Sequence, residues 1–375
     1  MRVRILVAPD GFGGTLSPVE AAAAIAAGWQ QAAPGDQVDR APLSDGGPGF
    51  VDVLAAALPK ARRCGVTVQD PLGRLVPAEL LLDGATAYVE SAQACGLHLL
   101  AAGERTPTVT SSYGVGQLVL AAIEAGAGRV VVGLGGSATN DGGAGMLAAL
   151  GLHPVGADGS RLAPGGAALR DTTALVGRLD PRLSGVALVA ATDVTAPLLG
   201  LHGASAVFGP QKGASREDVH LLDGALGRWA DALEAHTGAS VRDLPGAGAA
   251  GGLGAALLAL GAAREPGIAL VQRLVRLGTR AGRADLLVTG EGTFDGTSLQ
   301  GKVVSGVAAL AGKNGLPCLV VAGQVTVGRR EAAAAGIDAT YAVSDAVGIE
   351  AALAAPAEEL TALAARVARE WSRGV

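Results

Sequence analysis

The chain is poor in aromatic rings, in charge and in cysteine. Phe, Trp and Tyr make up 3% of its 375 residues, which leaves few platforms on which nucleic-acid bases could stack. Charged residues amount to 17%, with a formal net charge of -5, and that balance disfavours a nucleic-acid or anionic-membrane partner. The three cysteines, Cys64, Cys95 and Cys318, are scattered and form no CxxC pair. A disulfide framework and a zinc site are therefore not expected, and a reducing compartment is. No histidine pair has ligand spacing of the HExxH kind. The start MRVRILVAPD turns polar too early for a leader, and no apolar run is long enough for a membrane span. A soluble cytoplasmic protein of enzyme size is the expectation.

What the chain does have is apolar content, 49% of residues, enough for a large core in two lobes. RILVAPD reads as a buried parallel strand and GFGGTL as a flexible loop. Ser17-Pro18-Val19-Glu20 then supplies an N-cap, a proline in the first turn and the glutamate of a capping box. A strand follows around VDRAPL. The C-terminal part repeats the alternation: ADLLVTGEG, the helix GKVVSGVAALAGKNG, the strand PCLVVAG, the strand ATYAVSD and a last helix near residues 348–372. Between these ends, VTVQDPLGRLVPAELLLDGATAYVES reads as a three-strand antiparallel meander. The predicted fold is α/β. A doubly wound, mostly parallel Rossmann or flavodoxin-like domain comes from residues 1–70 and 285–375, with a mixed α/β domain, 71–284, inserted. Such sheets bind ligands at the carboxyl ends of their strands, where Asp10, Asp45 and Glu291 fall.

Three glycine-rich segments stand out. GLGGSATNDGGAG, Gly133 to Gly145, joins a strand to a helix and reads either as an anion cradle at a helix start or as a loop whose glycines allow tight packing. It does not fit GxGxxG, and its Asn140 and Asp141 suit metal or hydroxyl binding. PGAGAAGGLGAALLALGA offers only backbone amides, so packing and phosphate binding are equally open. In TGEGTFDGTSLQGK, Gly296 to Lys302 matches GxxxxGK, but Val303 replaces the Ser or Thr of a P-loop. Lys302 remains a phosphate contact, with Glu291 and Asp295 as acceptors. Asp193, at the tip of VALVAATD, and Lys212, in PQKGAS, complete the set. Sparse carboxylates, glycine loops and a few lysines suit phosphoryl transfer, which needs positioning and charge neutralisation more than covalent help.

These motifs resemble the bacterial class I glycerate kinase family along the whole chain. The resemblance rests on VAPDGFGGTLSPVEAAAAIAAGW, PLSDGGPGFVD, YGVGQLVLAAIEAG, GLGGSATNDGGAGMLAALG, VFGPQKGAS, PGAGAAGGLGAALL and ADLLVTGEGTFDGTSLQGK. It implies a two-domain kinase, unrelated to P-loop kinases, that uses ATP and Mg²⁺ to phosphorylate D-glycerate to 2-phosphoglycerate. Its partners would be glycerate and ATP, and the sequence leaves open whether the chain forms a homodimer. Around the cleft the resemblance places Asp10, Ser44, Asp45, Gly46, Gly47, Gly135, Gly136, Ser137, Asn140, Asp141, Asp193, Glu291 and Lys302, and Lys212 and Gly290 are further candidate contacts. Asp45 or Asp193 is expected as the base, Asp141 and Glu291 as metal ligands, and the others as contacts to substrate or nucleotide.

The chain departs from the family pattern where Gly11 and Gly13 replace Ser and Lys, Pro48 replaces Glu and Thr293 replaces Arg, so a related hydroxy acid is an alternative acceptor. A nucleotide-binding protein without turnover is the non-enzymatic alternative. A nicotinamide oxidoreductase is disfavoured, because Asp10 stands where its fingerprint needs glycine.

Overall fold

RILV forms the strand Arg4–Val7, three of its four residues buried. In a computed structural model, which describes residues 2–299 and 301–372, this strand lies inside a five-stranded sheet. The order is Ala339–Ala342, Cys318–Ala322, Leu286–Thr289, Arg4–Val7, Gln37–Arg40, and every pairing is parallel. Leu286–Thr289 and Cys318–Ala322 are buried at every position, as expected of parallel strands covered on both faces. The chain passes from Arg4–Val7 outward through the helix Pro18–Ala32 to Gln37–Arg40. After Leu286–Thr289 it runs the other way, through the helix Val303–Asn314 to Cys318–Ala322. The winding thus reverses between Arg4–Val7 and Leu286–Thr289, the switch point at which such sheets bind ligands.

The capping box read from Ser17 and Glu20 is formed. Glu20 N donates to Ser17 Oγ at 3.2 Å and Ser17 N to Glu20 Oε2 at 2.8 Å. The helix it starts packs on Pro356–Trp371, with Gly28 at the closest approach, where an added Cβ would overlap Thr361 O. The next residue, Trp29, donates from Nε1 to Asp36 Oδ2 at 3.0 Å, and Asp36 Oδ1 accepts from Val3 N at 3.0 Å. The last helix is not continuous over 348–372. It divides into Ile349–Ala354 and Pro356–Trp371, with Ala355 at φ -137° and ψ 58° between them, because Pro356 forces its predecessor out of the helical region.

Contacts divide the chain into Met1–Asp45, Asp52–Pro59 and Ile268–Val375 as one unit, and Gly46–Val51 and Lys60–Gly267 as the other. The divisions near 60 and 268 differ from the expected 70 and 284 for two reasons. Strand Arg62–Gln69 pairs with Leu75–Asp83 in the second sheet. The helices Gly267–Leu274 and Leu277–Ala281 pack within the first unit, Gln272 against Gly306 and Arg280 Nε on Asp39 Oδ2 at 2.8 Å.

The second unit holds a six-stranded sheet in the order Ala263–Glu265, Ala187–Ala191, Arg129–Gly133, Thr86–Glu90, Leu75–Asp83, Arg62–Gln69. Its last three strands are the antiparallel meander read from the sequence, and the others run parallel. Its core gathers Leu80, Val89, Val132, Met146, Leu226, Trp229 and Leu253, all fully buried. No described helix is long and apolar enough to cross a membrane.

Gly28→Val should prise the first and last helices of the first unit apart and lower stability by about 1–3 kcal/mol, the range for overpacking a tight contact. A melting temperature equal to the parent's in thermal denaturation would show that this approach does not constrain the fold.

Candidate active site

In the first unit, three strands deliver one carboxylate each beyond their carboxyl ends: Asp10 after Arg4–Val7, Asp45 after Gln37–Arg40 and Glu291 after Leu286–Thr289. Asp10 is fixed by its backbone, whose N–H donates to Gly290 O at 2.8 Å. Its Oδ1 accepts from Gly11 N at 2.7 Å. Burial pushes the Asp10 carboxyl well above the usual carboxylate range, the charge of Asp45 adds to this, and Glu291 contributes too, against the pull of Gly11 N–H and Lys302. Burial also raises Glu291, opposed by Ser298 and Lys302. Glu291 Oε1 is buried with no hydrogen-bond partner among the described residues. Carboxylates that repel one another, one with an orphaned oxygen, form a place that a cation would stabilise.

Lys302 stands exposed at the N-cap of Val303–Asn314, its Nζ donating to Thr297 Oγ1 at 2.9 Å. Asp295 Oδ1 accepts from Thr297 N at 2.8 Å and Ser298 N at 3.2 Å. Among the described residues, Thr297 and Ser298 of the GxxxxGK segment thus turn to Asp295 and Lys302, and Gln300 within it lies outside the described residues. Gly290 is glycine because a Cβ there would overlap Val321 O. Ser44 is buried at 1% exposure.

In the second unit the loop GLGGSATNDGGAG turns its polar side chains inward. Ser137, Thr139, Asn140 and Asp141 are all buried. Asp141 Oδ2 accepts from Ser112 N at 2.8 Å, Ser112 Oγ at 2.9 Å and Gly145 N at 3.1 Å, and Oδ1 accepts from Gly143 N at 3.2 Å. Burial raises its carboxyl and those donors pull it back. A carboxylate so occupied does not fit the metal-ligand role expected for Asp141. Lys212, 2% exposed, donates from Nζ to Ser137 Oγ at 2.9 Å and to Thr139 O at 2.7 Å. It faces the loop rather than a ligand. Asn140 Nδ2 donates to Ser205 Oγ at 2.8 Å, while its Oδ1 is buried without a partner among the described residues.

The glycines of this loop are contact points. A Cβ on Gly133 would lie 2.5 Å from Gly46 O, one on Gly135 2.6 Å from Gly47 Cα, and one on Gly136 2.7 Å from Pro48 Cγ. The segment Gly46–Gly49 thus lies directly on the loop. Glu90 secures it from below, its Oε2 accepting from Gly49 N at 3.1 Å and Val51 N at 3.3 Å. On the other flank Gly142 N donates to Gly251 O at 3.0 Å. A Cβ on Gly251 would overlap Thr139 O, and one on Gly252 would lie 2.7 Å from Gly142 Cα. For the second glycine segment packing is the reading that holds. In the first, Gly135 and Gly136 keep backbone at the surface. Asp193 is half-buried beyond Ala187–Ala191, next to Thr192, whose Oγ1 accepts from Val194 N at 3.2 Å.

Sequence reasoning missed Glu90, Ser112 and Ser205. Glu90 had a signal, an acid at the end of the strand TAYVE, while the two serines had none. No group of three or more His, Cys, Asp or Glu among the described residues converges as a metal cage. Mg²⁺ does not require one, since it takes one or two carboxylates with water and phosphate oxygens. Glu291, Asp10 and Asp45 fit that mode, and Asp141 does not.

The sequence profile of the glycerate kinase family matches residues 5–372. The chain is 42% identical over 350 residues to glycerate 2-kinase of Escherichia coli, spanning 92% of each chain. It is 42% identical over 371 residues to glycerate kinase of Bacillus subtilis, spanning 98% of this chain and 97% of that one. A Salmonella typhimurium crystal structure, provisionally described as glycerate kinase 2, superposes with a TM-score of 0.80 at 40% identity, covering 100% of this chain and 99% of that chain. Fold and sequence together make the chain a kinase. It belongs to the glycerate kinase family.

Asp141→Asn would turn an amide N–H₂ toward donors that now meet a carboxylate, and should cost at least about 2 kcal/mol. Lys212→Met should also destabilise, with a pH signature. Burial draws the Lys212 ammonium down to about 8 from its ordinary 10.5. Between those values the unfolded chain holds the proton more tightly, so the Lys212 contribution to stability rises with pH across that window. The melting-temperature deficit of Lys212→Met should therefore be larger at about pH 9.5 than at about pH 7. A deficit that shrinks would refute the buried placement.

Proposed function

We propose that the chain transfers the terminal phosphoryl group of ATP to D-glycerate, with Mg²⁺, and that the product is 2-phosphoglycerate. The observation that supports this most is the trio Asp10, Asp45 and Glu291 at the switch point of the first sheet, mutually repulsive and with Glu291 Oε1 unpartnered. The relatives named glycerate 2-kinase and glycerate kinase supply the acceptor. In the reaction the glycerate hydroxyl oxygen bonds to the γ-phosphorus, the bond from that phosphorus to the β,γ-bridging oxygen breaks, ADP leaves, and the hydroxyl proton passes to a carboxylate. Asp45 and Asp193 are the two candidates for that base. Glu291 and Asp10 would hold the Mg²⁺, which when bound neutralises phosphate charge. In the first unit, Lys302 and the backbone N–H groups near Ser44 and Gly290 would contact phosphate or carboxylate; in the second unit, the backbone N–H groups near Gly46, Gly47, Gly135 and Gly136 are a separate candidate anion contact. Ser137, Asn140, Asp141 and Lys212 act from beneath, by shaping the loop.

A coupled ADP-release assay with ATP, Mg²⁺ and D-glycerate tests the reading, and NMR of the product separates 2- from 3-phosphoglycerate. No ADP formed above the rate without acceptor would end it. A related hydroxy acid preferred over glycerate would shift the substrate toward the alternative raised by Gly11, Gly13, Pro48 and Thr293. Of Asp45→Asn and Asp193→Asn, the one that removes the base should lower kcat by about 10²–10⁴-fold. If both retain near-parental kcat, neither is the base. Glu291→Gln should raise the Mg²⁺ concentration for half-maximal rate by about tenfold, roughly 1.4 kcal/mol of lost binding. An unchanged requirement would place the ion elsewhere.

A further inference from the structure

Beside the acids of the first unit lies a cleft of about 130 Å³, to which Phe12, Thr15, Gly292, Gly323, Gln324 and Leu353 contribute. Its floor is main chain. A Cβ on Gly323 would sit 2.5 Å from Gly292 O, and one on Gly292 2.8 Å from Gly13 N, so three glycine backbones lie in contact with no side chain between them. One wall is the short helix Ile349–Ala354, none of whose residues is buried. Ile349 is 52% and Leu353 59% exposed, a high exposure for apolar groups on adjoining turns. Part of the lining is polar and unengaged: the Gln324 amide and the Thr293 hydroxyl make no side-chain hydrogen bond among the described residues. An apolar wall and a glycine main-chain floor, with an amide and a hydroxyl that make no side-chain hydrogen bond among the described residues, are the make-up of a site for a planar heterocycle with hydrogen-bonding edges.

The cleft is continuous with the proposed metal site along the chain. Gly292 follows Glu291 directly, and Phe12 lies two residues beyond Asp10. We propose that this cleft seats the base of the nucleoside triphosphate donor, with Gln324 and Thr293 reading the base edge and Ala352 and Leu353 covering its face. This rests on the reading of the chain as an ATP-dependent kinase and adds where the donor's base is recognised. A second copy of the chain could also cover an exposed apolar wall, but it would leave the Gln324 amide and Thr293 hydroxyl unexplained.

The test compares the parent with Ala352→Trp, which fills the cleft, and Gln324→Leu, which removes the edge contact without adding bulk. ATP binding is measured by calorimetry, the KM values for ATP and D-glycerate by steady-state kinetics, and the assembly state by analytical ultracentrifugation. Ala352→Trp should weaken ATP binding by at least about tenfold and Gln324→Leu by about three- to tenfold, with the KM for D-glycerate unchanged and both variants folded by thermal melting. If Ala352→Trp fails to fold, Gln324→Leu alone decides. Parental ATP affinity in the folded variants overturns the cleft while leaving the kinase reading intact. ATP binding that the variants weaken, in a parent that phosphorylates no glycerate, overturns the kinase reading and upholds the cleft. A parent that binds no ATP overturns the cleft, as does a change in assembly state with ATP affinity unaltered.

Discussion

The second unit is organised around one buried carboxylate. Asp141 receives the N–H groups of Ser112, Gly143 and Gly145 and the hydroxyl of Ser112. Ser112 precedes the helix Tyr113–Glu124, and Gly143 precedes Ala144–Ala149. One anion therefore answers unpaired donors at the starts of two helices, where the helix dipoles also favour negative charge. Lys212 holds the same loop from its other side through Ser137 Oγ and Thr139 O. With the loop pinned at both ends its glycines become surfaces for other chain segments, Gly46–Gly49 on one flank and Gly251–Gly252 on the other. Any larger residue on those faces would break contacts that Asp141 and Lys212 establish.

The polar groups of the two units are treated in opposite ways. In the second unit the buried charges are compensated, Asp141 by four donors and Lys212 by two acceptors, although Asn140 Oδ1 and Thr139 Oγ1 in the same loop have no partner among the described residues. At the strand tips of the first unit the carboxylates are not so matched. Asp10 is pushed up by burial and by Asp45, and Glu291 keeps an orphaned oxygen. A buried polar atom without a partner costs on the order of 1–3 kcal/mol, and such costs persist where function needs them. That contrast concerns the charged groups, and residue type alone does not reveal it, since both sets consist of acids and lysines beside glycine.

The local rules were readable and the tertiary ones were not. The capping box at Ser17 and Glu20, the three-strand meander and the acids at strand tips follow from short-range pattern, and the structure has each of them. Whether a glycine serves a ligand or a neighbouring segment depends on residues far away in sequence: Gly135 answers to Gly47, and Gly251 to Thr139. No window of sequence contains both partners. Lys212 misled for a related reason. Flanked by Gln211 and Gly213 it has the surroundings of a surface residue, yet it is almost wholly buried. Pro356 is a legible helix breaker, and its rigid ring interrupts at Ala355 the single helix expected over 348–372.

The placement of Lys212 bears on how a triphosphate could be held. An ammonium already bonded to Ser137 and Thr139 inside the second unit is not free to meet phosphate oxygens, whereas Lys302 is exposed, with Thr297 as its contact. On the proposed reading, a nucleotide brought to the Asp10, Asp45 and Glu291 carboxylates adds negative charge to negative charge. Lys302 counters only part of it. Two anionic partners that repel can share a site only if a cation lies between them, so metal and nucleotide must bind with mutual dependence. On the same reading, the departures from the family pattern at Gly13 and Thr293 would strengthen that coupling. Each positive side chain absent from the first unit transfers more of the neutralisation to the ion, and makes the carboxylates that hold it more, not less, necessary.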